Sequence, residues 1–134
     1  PGNKINDTAF GISFFLTDSE AANRYCCAKE TDSPIKNEAN NGLKNDLGTV
    51  AMARTSDPHS ASSQFFINIK GNDFLNHTSE TPNGWGYCVF GEVTEGTEVV
   101  NAIEEKPTTT RNGHQDVPEE IIFIEKITIL NEKN

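Results

Sequence analysis

The chain has 134 residues, 34% of them hydrophobic, with ten glycines in addition, which is enough for one domain with a real core and too little for two of ordinary size. Eleven basic against twenty acidic residues give a net charge of −9, a field that repels nucleic acid and anionic membrane surfaces. The longest apolar runs, such as Ile121-Ile122-Phe123-Ile124, fall far short of the roughly 20 residues a membrane span needs. Cys26, Cys27 and Cys88 lack CxxC spacing and are odd in number, so neither a disulfide framework nor a zinc site is expected, and a reducing, cytoplasmic setting is. The start, Pro1 to Asp7, has no cationic segment leading into an apolar stretch, so no signal peptide is expected.

Taken in chain order, Gly11 to Leu16 (GISFFL) reads as a short strand, and Thr17-x-x-Glu20 has the form of a capping box ahead of a helix through about Lys29. From Glu30 to Gly48 the chain carries Pro34, four asparagines and the Asn41-Gly42 turn signal without a sustained apolar period, the signature of a long loop. Thr49 to Arg54 (TVAMAR) and Gln64 to Ile69 (QFFINI) read as strands joined by TSDPHSASS, whose serines and Pro58 suit an ordered turn. Phe74-Leu75 is an apolar pair between loops, followed by a polar excursion from Asn76 to Gly84 and a strand from Tyr87 to Val93. Thr97 is placed to cap a helix through about Glu105 in which Val99, Val100 and Ile103 form one stripe, and Pro107 ends it. After a loop containing Asn112-Gly113, Ile121 to Leu130 reads as a strand buried on much of both faces. No period of about 20–50 residues repeats and no Pro- or Ser-rich linker divides the chain, so residues 1–134 are expected to form a single domain. Short strands joined by long, turn-rich connections favour a mainly β antiparallel sandwich or closed barrel over a doubly wound parallel sheet, which needs a helix after nearly every strand.

Chemistry-bearing residues are sparse. His59, His77 and His114 fall in loops without H-x-x-x-H or E-x-x-H spacing, so no metal is expected. His114-Gln115-Asp116 with a serine is a formal triad, but no G-x-S-x-G elbow exposes a nucleophile, and solvated loop residues are the better reading. The vicinal Cys26-Cys27 pair reads as core or surface thiols, and no glycine-rich run cradles a phosphate. No cofactor is expected. What stands out is an aromatic, amide-bearing segment: Gln64 and Phe66 share one face of a strand by period two, close to the small polar loop and to Phe74-Leu75. Such a constellation makes a shallow apolar pocket with an amide at its rim; the plainer alternative is that Phe65 and Phe66 fill the core from both faces.

Gly48-Thr-Val-Ala-Met-Ala-Arg54, Ser62-Ser-Gln-Phe-Phe-Ile-Asn68, Asp73-Phe-Leu75 and Gly84-Trp-Gly-Tyr-Cys-Val-Phe-Gly-Glu-Val93 occur in an order and at separations that resemble the cyclophilin family of peptidyl-prolyl isomerases. Pro34-Ile-Lys-Asn-Glu-Ala-Asn-Asn-Gly-Leu-Lys-Asn45 and His114-Gln-Asp-Val-Pro118 add to the match, which runs from about Pro34 to Leu130 and is most similar to the bacterial cytoplasmic branch. The resemblance implies a cyclophilin-like closed antiparallel β-barrel of eight strands with one or two capping helices. It also implies a monomeric peptidyl-prolyl cis-trans isomerase acting on X-Pro bonds of peptides and unfolded protein clients, with no cofactor or metal. Carried over position by position, it makes Phe66 and Leu75 walls of a proline recess, with Met52 in the core. Tyr87 stands where many members have His. Phe74 stands where many eukaryotic members have a Trp that helps hold cyclosporin, which implies weak binding of that drug. Ala53 and Arg54 match the backbone segment that pairs with the substrate chain. Gln64 matches the side chain that hydrogen-bonds the substrate and orders the site, and so carries the catalytic role here; the bland alternative is an amide that serves only the barrel.

The family's F-H-R-x-I-x-G-F-M-x-Q-G-G motif, which holds its catalytic Arg, does not occur in the sequence. Residues 1–33 admit two alignments. In one, GISFFL and SEAANRYCCAKE stand for the family's early strand and first helix, and the motif's segment is missing. In the other, Phe15-Leu16-Thr17-Asp18 stands for F-M-x-Q, which adds Phe15 and Leu16 to the recess. Neither puts an Arg at the catalytic position: Arg24 lies in the divergent segment, Arg111 in a distant loop, and Arg54 matches a different family position. An N-terminal part that is atypical or incomplete is expected, and with it either reduced activity or a proline-peptide binding module that keeps the recess without the catalytic donor.

Overall fold

Ala51 is the pivot of the structure, and its small side chain explains why. The computed structural model describes residues 31–111 and 113–127; the strand and helix expected before Glu30, with Phe15, Leu16, Cys26 and Cys27, lie outside the described residues. Strands β1 (Thr49–Met52), β2 (Phe65–Ile67) and β3 (Val89–Glu92) form an antiparallel sheet in the order β2-β1-β3. Ala51 faces Phe66 on one side and Val89 on the other, and all three are buried, at 0%, 4% and 4% exposure. A methyl group leaves room for the larger side chains on either side, and Leu75 joins them to complete the core, with Ala53 and Tyr87 packed against the cluster. Burial of side chains such as Phe66 and Leu75 stabilises by about 1.5–3 kcal/mol each.

Backbone pairing runs past the formal strand ends. Met52 N donates to Cys88 O at 2.9 Å, Ala53 N to Gln64 O at 2.9 Å, and Asn68 N to Thr49 O at 2.8 Å, so the longer strands read from sequence persist as a ladder. Met52 departs from its expected core place: it is half-buried and outside the central cluster, because period two turns it to the opposite face from Ala51. The serine-rich turn after β1 is ordered as anticipated. Thr55 N and Oγ1 both donate to Ser60 Oγ, which donates to Asp57 O, while His59 N donates to Asp57 Oδ1. Residues before β1 form a 3-10 turn, Ala39–Asn41, ended by Gly42 at φ 86°, and Ile35 bridges to Ala61.

Helix α1 (Thr97–Glu104) begins one residue earlier than the Thr97 cap predicts. Gly96 at φ 80° takes the capping position and its carbonyl accepts from Val99 N, so Thr97 is already helical and offers no side-chain cap. Strands β4 (Thr108–Arg111) and β5 (His114–Pro118) pair antiparallel where the sequence reads as loop. Thr-Thr-Thr-Arg and His-Gln-Asp-Val-Pro have no apolar alternation to betray them, and Gly113 at φ 82° supplies the left-handed turn residue a tight hairpin demands. The strand expected from Ile121 to Leu130 does not form over residues 121–127, where Ile121, Phe123 and Ile127 are exposed. An Ile-rich run becomes a strand only beside a partner, and among the described residues none pairs with it. The described fold is thus mainly β, with a three-stranded and a two-stranded antiparallel sheet and one α-helix. No helix among the described residues is long and apolar enough to cross a membrane.

Candidate functional site

Phe66 from β2, Leu75 from a 3-10 turn (Asp73–Leu75) and Tyr87 from the lead into β3 meet at one end of the sheet. The turn forms because Leu75 N donates to Asn72 O and Asn76 N to Asp73 O, and its tight pitch sends adjacent apolar residues in opposite directions. Leu75 is buried while Phe74 is 63% exposed, which answers where that apolar pair goes. Tyr87 N donates to Leu75 O at 2.9 Å, and the Tyr87 ring meets Phe66 edge-on at 5.6 Å and 78°, a favoured aromatic geometry. The result is an apolar cluster in which Tyr87 packs against the buried Phe66 and Leu75. Gln64 lies two residues before Phe66 on the same strand face and is half-buried. Its backbone carbonyl is engaged by Ala53 N, while none of the side-chain hydrogen bonds among the described residues uses its amide.

Arg54 closes the rim by its side chain as well as its backbone. Its Nε donates to Gly86 O at 2.9 Å, Nη1 to Thr55 O at 2.9 Å and Nη2 to Pro82 O at 3.4 Å, and its Cζ sits 4.8 Å from the centre of the Tyr87 ring. Three carbonyls and an aromatic face therefore hold one guanidinium. Beside it opens a cleft of about 410 Å³ lined by Arg54, Thr55, Ser56, Pro82, Asn83 and Tyr87. The far wall belongs to the excursion between the 3-10 turn and β3, anchored by buried Trp85, whose ring contacts His59 at 4.9 Å and His77 at 5.2 Å.

A chain of buried amides that sequence reading missed is tied to Leu75 and Tyr87. Asn72 Nδ2 donates to Asn68 Oδ1 at 2.7 Å, Asn68 Nδ2 to Asn45 Oδ1 at 3.1 Å, and Asn45 Nδ2 to Leu75 O and Tyr87 O at 3.2 Å each. All three asparagines are fully buried. Asn37 Nδ2 makes a parallel tie to Gly86 O at 3.1 Å. Gly86 is the one residue type that fits there: φ is +69°, and a Cβ would stand 2.5 Å from Leu75 O. One signal for this network was available, since period two puts Asn68 on the same face as Phe66, and a polar residue on a core face implies a hydrogen-bonded amide.

Among the remaining candidates, burial is the main cause pushing the Cys88 thiol above its ordinary value; the Glu38 backbone hydrogen bond works the other way and the Glu38 charge adds to the rise. A thiol so disposed is a poor nucleophile. His114 and Asp116 are exposed on the β4–β5 hairpin, outside the sheet that carries Phe66.

The residues that pack together here come from the stretches Gly48–Arg54, Ser62–Asn68, Asp73–Leu75 and Gly84–Val93, and the family model described as cyclophilin type peptidyl-prolyl cis-trans isomerase/CLD matches residues 7–129. The chain belongs to the cyclophilin family. The match starts at residue 7, ahead of the point near Pro34 where cyclophilin motifs become legible by eye. Peptidyl-prolyl cis-trans isomerase cyp18 of Streptomyces antibioticus is 65% identical over 102 residues, covering 76% of this chain and 61% of that protein. Peptidyl-prolyl cis-trans isomerase B of Escherichia coli (strain K12) is 58% identical over 101 residues, 75% of this chain and 62% of that one. The peptidyl-prolyl cis-trans isomerase of Acinetobacter baylyi is 54% identical over 101 residues, 75% of this chain and 52% of that one. This cyclophilin chain therefore spans about three fifths of the first two relatives and about half of the third.

Proposed function

We propose that the chain acts as a peptidyl-prolyl cis-trans isomerase on X-Pro bonds of peptides and unfolded proteins, with the Phe66–Leu75–Tyr87 recess as the proline site. The meeting of these three residues beside the Ala53–Arg54 edge carries the reading. Twisting an amide breaks its resonance, against a barrier near 18–20 kcal/mol, and an unaided X-Pro bond takes tens to hundreds of seconds to turn over. A catalyst lowers that barrier without a covalent intermediate, by holding the ring, gripping the flanking backbone, and offering donors that favour the twisted amide over the planar one.

In this reading the recess takes the proline ring, the backbone at Ala53 and Arg54 pairs with the substrate chain, Gln64 donates to the substrate backbone, and Phe74 borders the entrance from its exposed position. Phe15 and Leu16 stay additional candidates for the recess. Phe74, in place of an indole N–H, is consistent with weak cyclosporin binding. In the same reading the chain is a single domain over residues 1–134 whose sheet is part of a closed barrel, a monomer in a cytoplasmic setting. The test is a protease-free isomerisation assay on an Ala-Pro peptide with micromolar protein. Acceleration above the uncatalysed exchange is expected, and a rate equal to background overturns the proposal.

A further inference from the structure

The cleft beside the recess ends on a guanidinium with charge to spare. Arg54 has five N–H donors, and three are spent on the carbonyls of Gly86, Thr55 and Pro82, so two stay open. None of those acceptors is a carboxylate: among the described residues the salt bridge present joins Lys106 and Glu120, and Arg54 takes part in none. The nearest acidic residues in its own turn and in the facing excursion are otherwise disposed, Asp57 accepting from His59 N and Glu80 exposed. The three carbonyls and the Tyr87 face hold the guanidinium in place before any ligand arrives, and preorganisation of this kind spares the ordering cost of a long side chain. The cleft is lined by Arg54 and Tyr87, and Tyr87 is also a wall of the recess, so a chain with its proline in the recess has a neighbouring side chain within reach of the cleft.

We infer that this cleft is a side-chain subsite for an acidic residue adjacent to the proline, bound through the Arg54 guanidinium. This rests on the isomerase reading for its placement, and it adds a substrate class to that reading: X-Pro segments flanked by Glu or Asp. The net charge of −9 opposes acidic peptides at long range, so the preference comes from contact and emerges where distant charge is screened. At about 0.15 M salt the Debye length is about 8 Å, which removes the distant repulsion and leaves the contact.

The experiment uses four peptides that differ only beside the proline, Ala-Glu-Pro-Phe, Ala-Ala-Pro-Phe, Ala-Lys-Pro-Phe and Ala-Ala-Pro-Glu, at 0.15 M salt. Exchange NMR gives the rate of isomerisation and a chemical-shift titration of the Arg54 Nε–H and Tyr87 amide gives Kd, so the subsite is decided by affinity even if turnover is nil. At least one acidic peptide is expected to bind about two- to fivefold more tightly than the alanine peptide, the span of a single exposed ion pair, and the lysine peptide more weakly. Arg54→Gln is expected to level the series, while Arg54→Lys keeps part of it because the charge survives and the fork does not. Equal Kd values for acidic and neutral peptides, or an acidic preference that persists in Arg54→Gln, overturn the subsite. Isomerisation of none of the four overturns the isomerase reading and leaves the affinity series to judge the subsite by itself.

Discussion

Phe66 and Gln64 sit two residues apart on one strand face, yet their removal should register in different measurements. Phe66 is core, buried against Ala51, Leu75 and Val89, and in the proposed reading also a wall of the proline site, so Phe66→Ala is expected to cost about 3–5 kcal/mol in urea unfolding, a large part of the about 5–15 kcal/mol a domain usually has. Its isomerisation rate, measured where the variant is still folded, should also fall, and wild-type turnover there would remove Phe66 from the site. Gln64 is half-buried and its amide serves no partner among the described residues. Gln64→Ala is accordingly expected to shift stability by less than about 1 kcal/mol. Its kcat/KM is expected to drop by up to about 10²-fold, the scale of losing one preorganised donor. A stability loss without a rate loss would return Gln64 to a purely structural role.

Strand β1, the 3-10 turn and the lead into β3 are held in register by one amide side chain. Asn45, just before β1, donates to Leu75 O and Tyr87 O and accepts from Asn68, so it ties Leu75 and Tyr87 to the sheet. Asn45→Ala strands Tyr87 O, at about 1–3 kcal/mol, while Leu75 O keeps the Tyr87 N–H and Asn68 Nδ2 keeps Thr49 Oγ1. The expected result is a lower unfolding midpoint together with broadened NMR signals from Leu75 and Tyr87; sharp, unshifted signals would show that the backbone bond between Tyr87 and Leu75 suffices. This is also where sequence reading stops short. TVAMAR and QFFINI are legible as β1 and β2 because each is a short apolar run set off by the polar, turn-forming TSDPHSASS between them. The four asparagines of residues 30–48 resemble turn formers, and nothing local distinguishes Asn45, which reaches 30 and 42 positions along the chain, from Asn40, which is exposed. The β4–β5 hairpin is missed for the opposite reason: backbone pairing and turn chemistry hold it, and its polar strands carry no periodicity. The side-chain role of Arg54 likewise depends on Gly86, Pro82 and Tyr87, which arrive from far along the chain.

Over the whole molecule, burial is uneven, and that sets where motion should appear. The central sheet contains Ala51, Phe66 and Val89, with the buried amides beneath its open end, whereas α1 has no buried residue and at eight residues is too short to hold together by itself in water. Native-state openings span from near zero up to the global unfolding free energy and follow buried contact. Amide hydrogen exchange should therefore find Met52, Ala53, Asn68 and Tyr87 among the slowest sites, opening only with global unfolding, because each donates to a backbone acceptor within the sheet and recess. The amides of Val99 and Val100, which donate to Gly96 at the exposed start of α1, should exchange well before them, as should those of β4 and β5. If α1 instead opened together with β1, its apolar stripe would have to be covered in solution by more than the described residues provide. The ranking bears on function directly. In the isomerase reading proposed above, walls that open only with the whole fold are preorganised for a proline ring, and the rotation is then the substrate's own motion against a fixed surface.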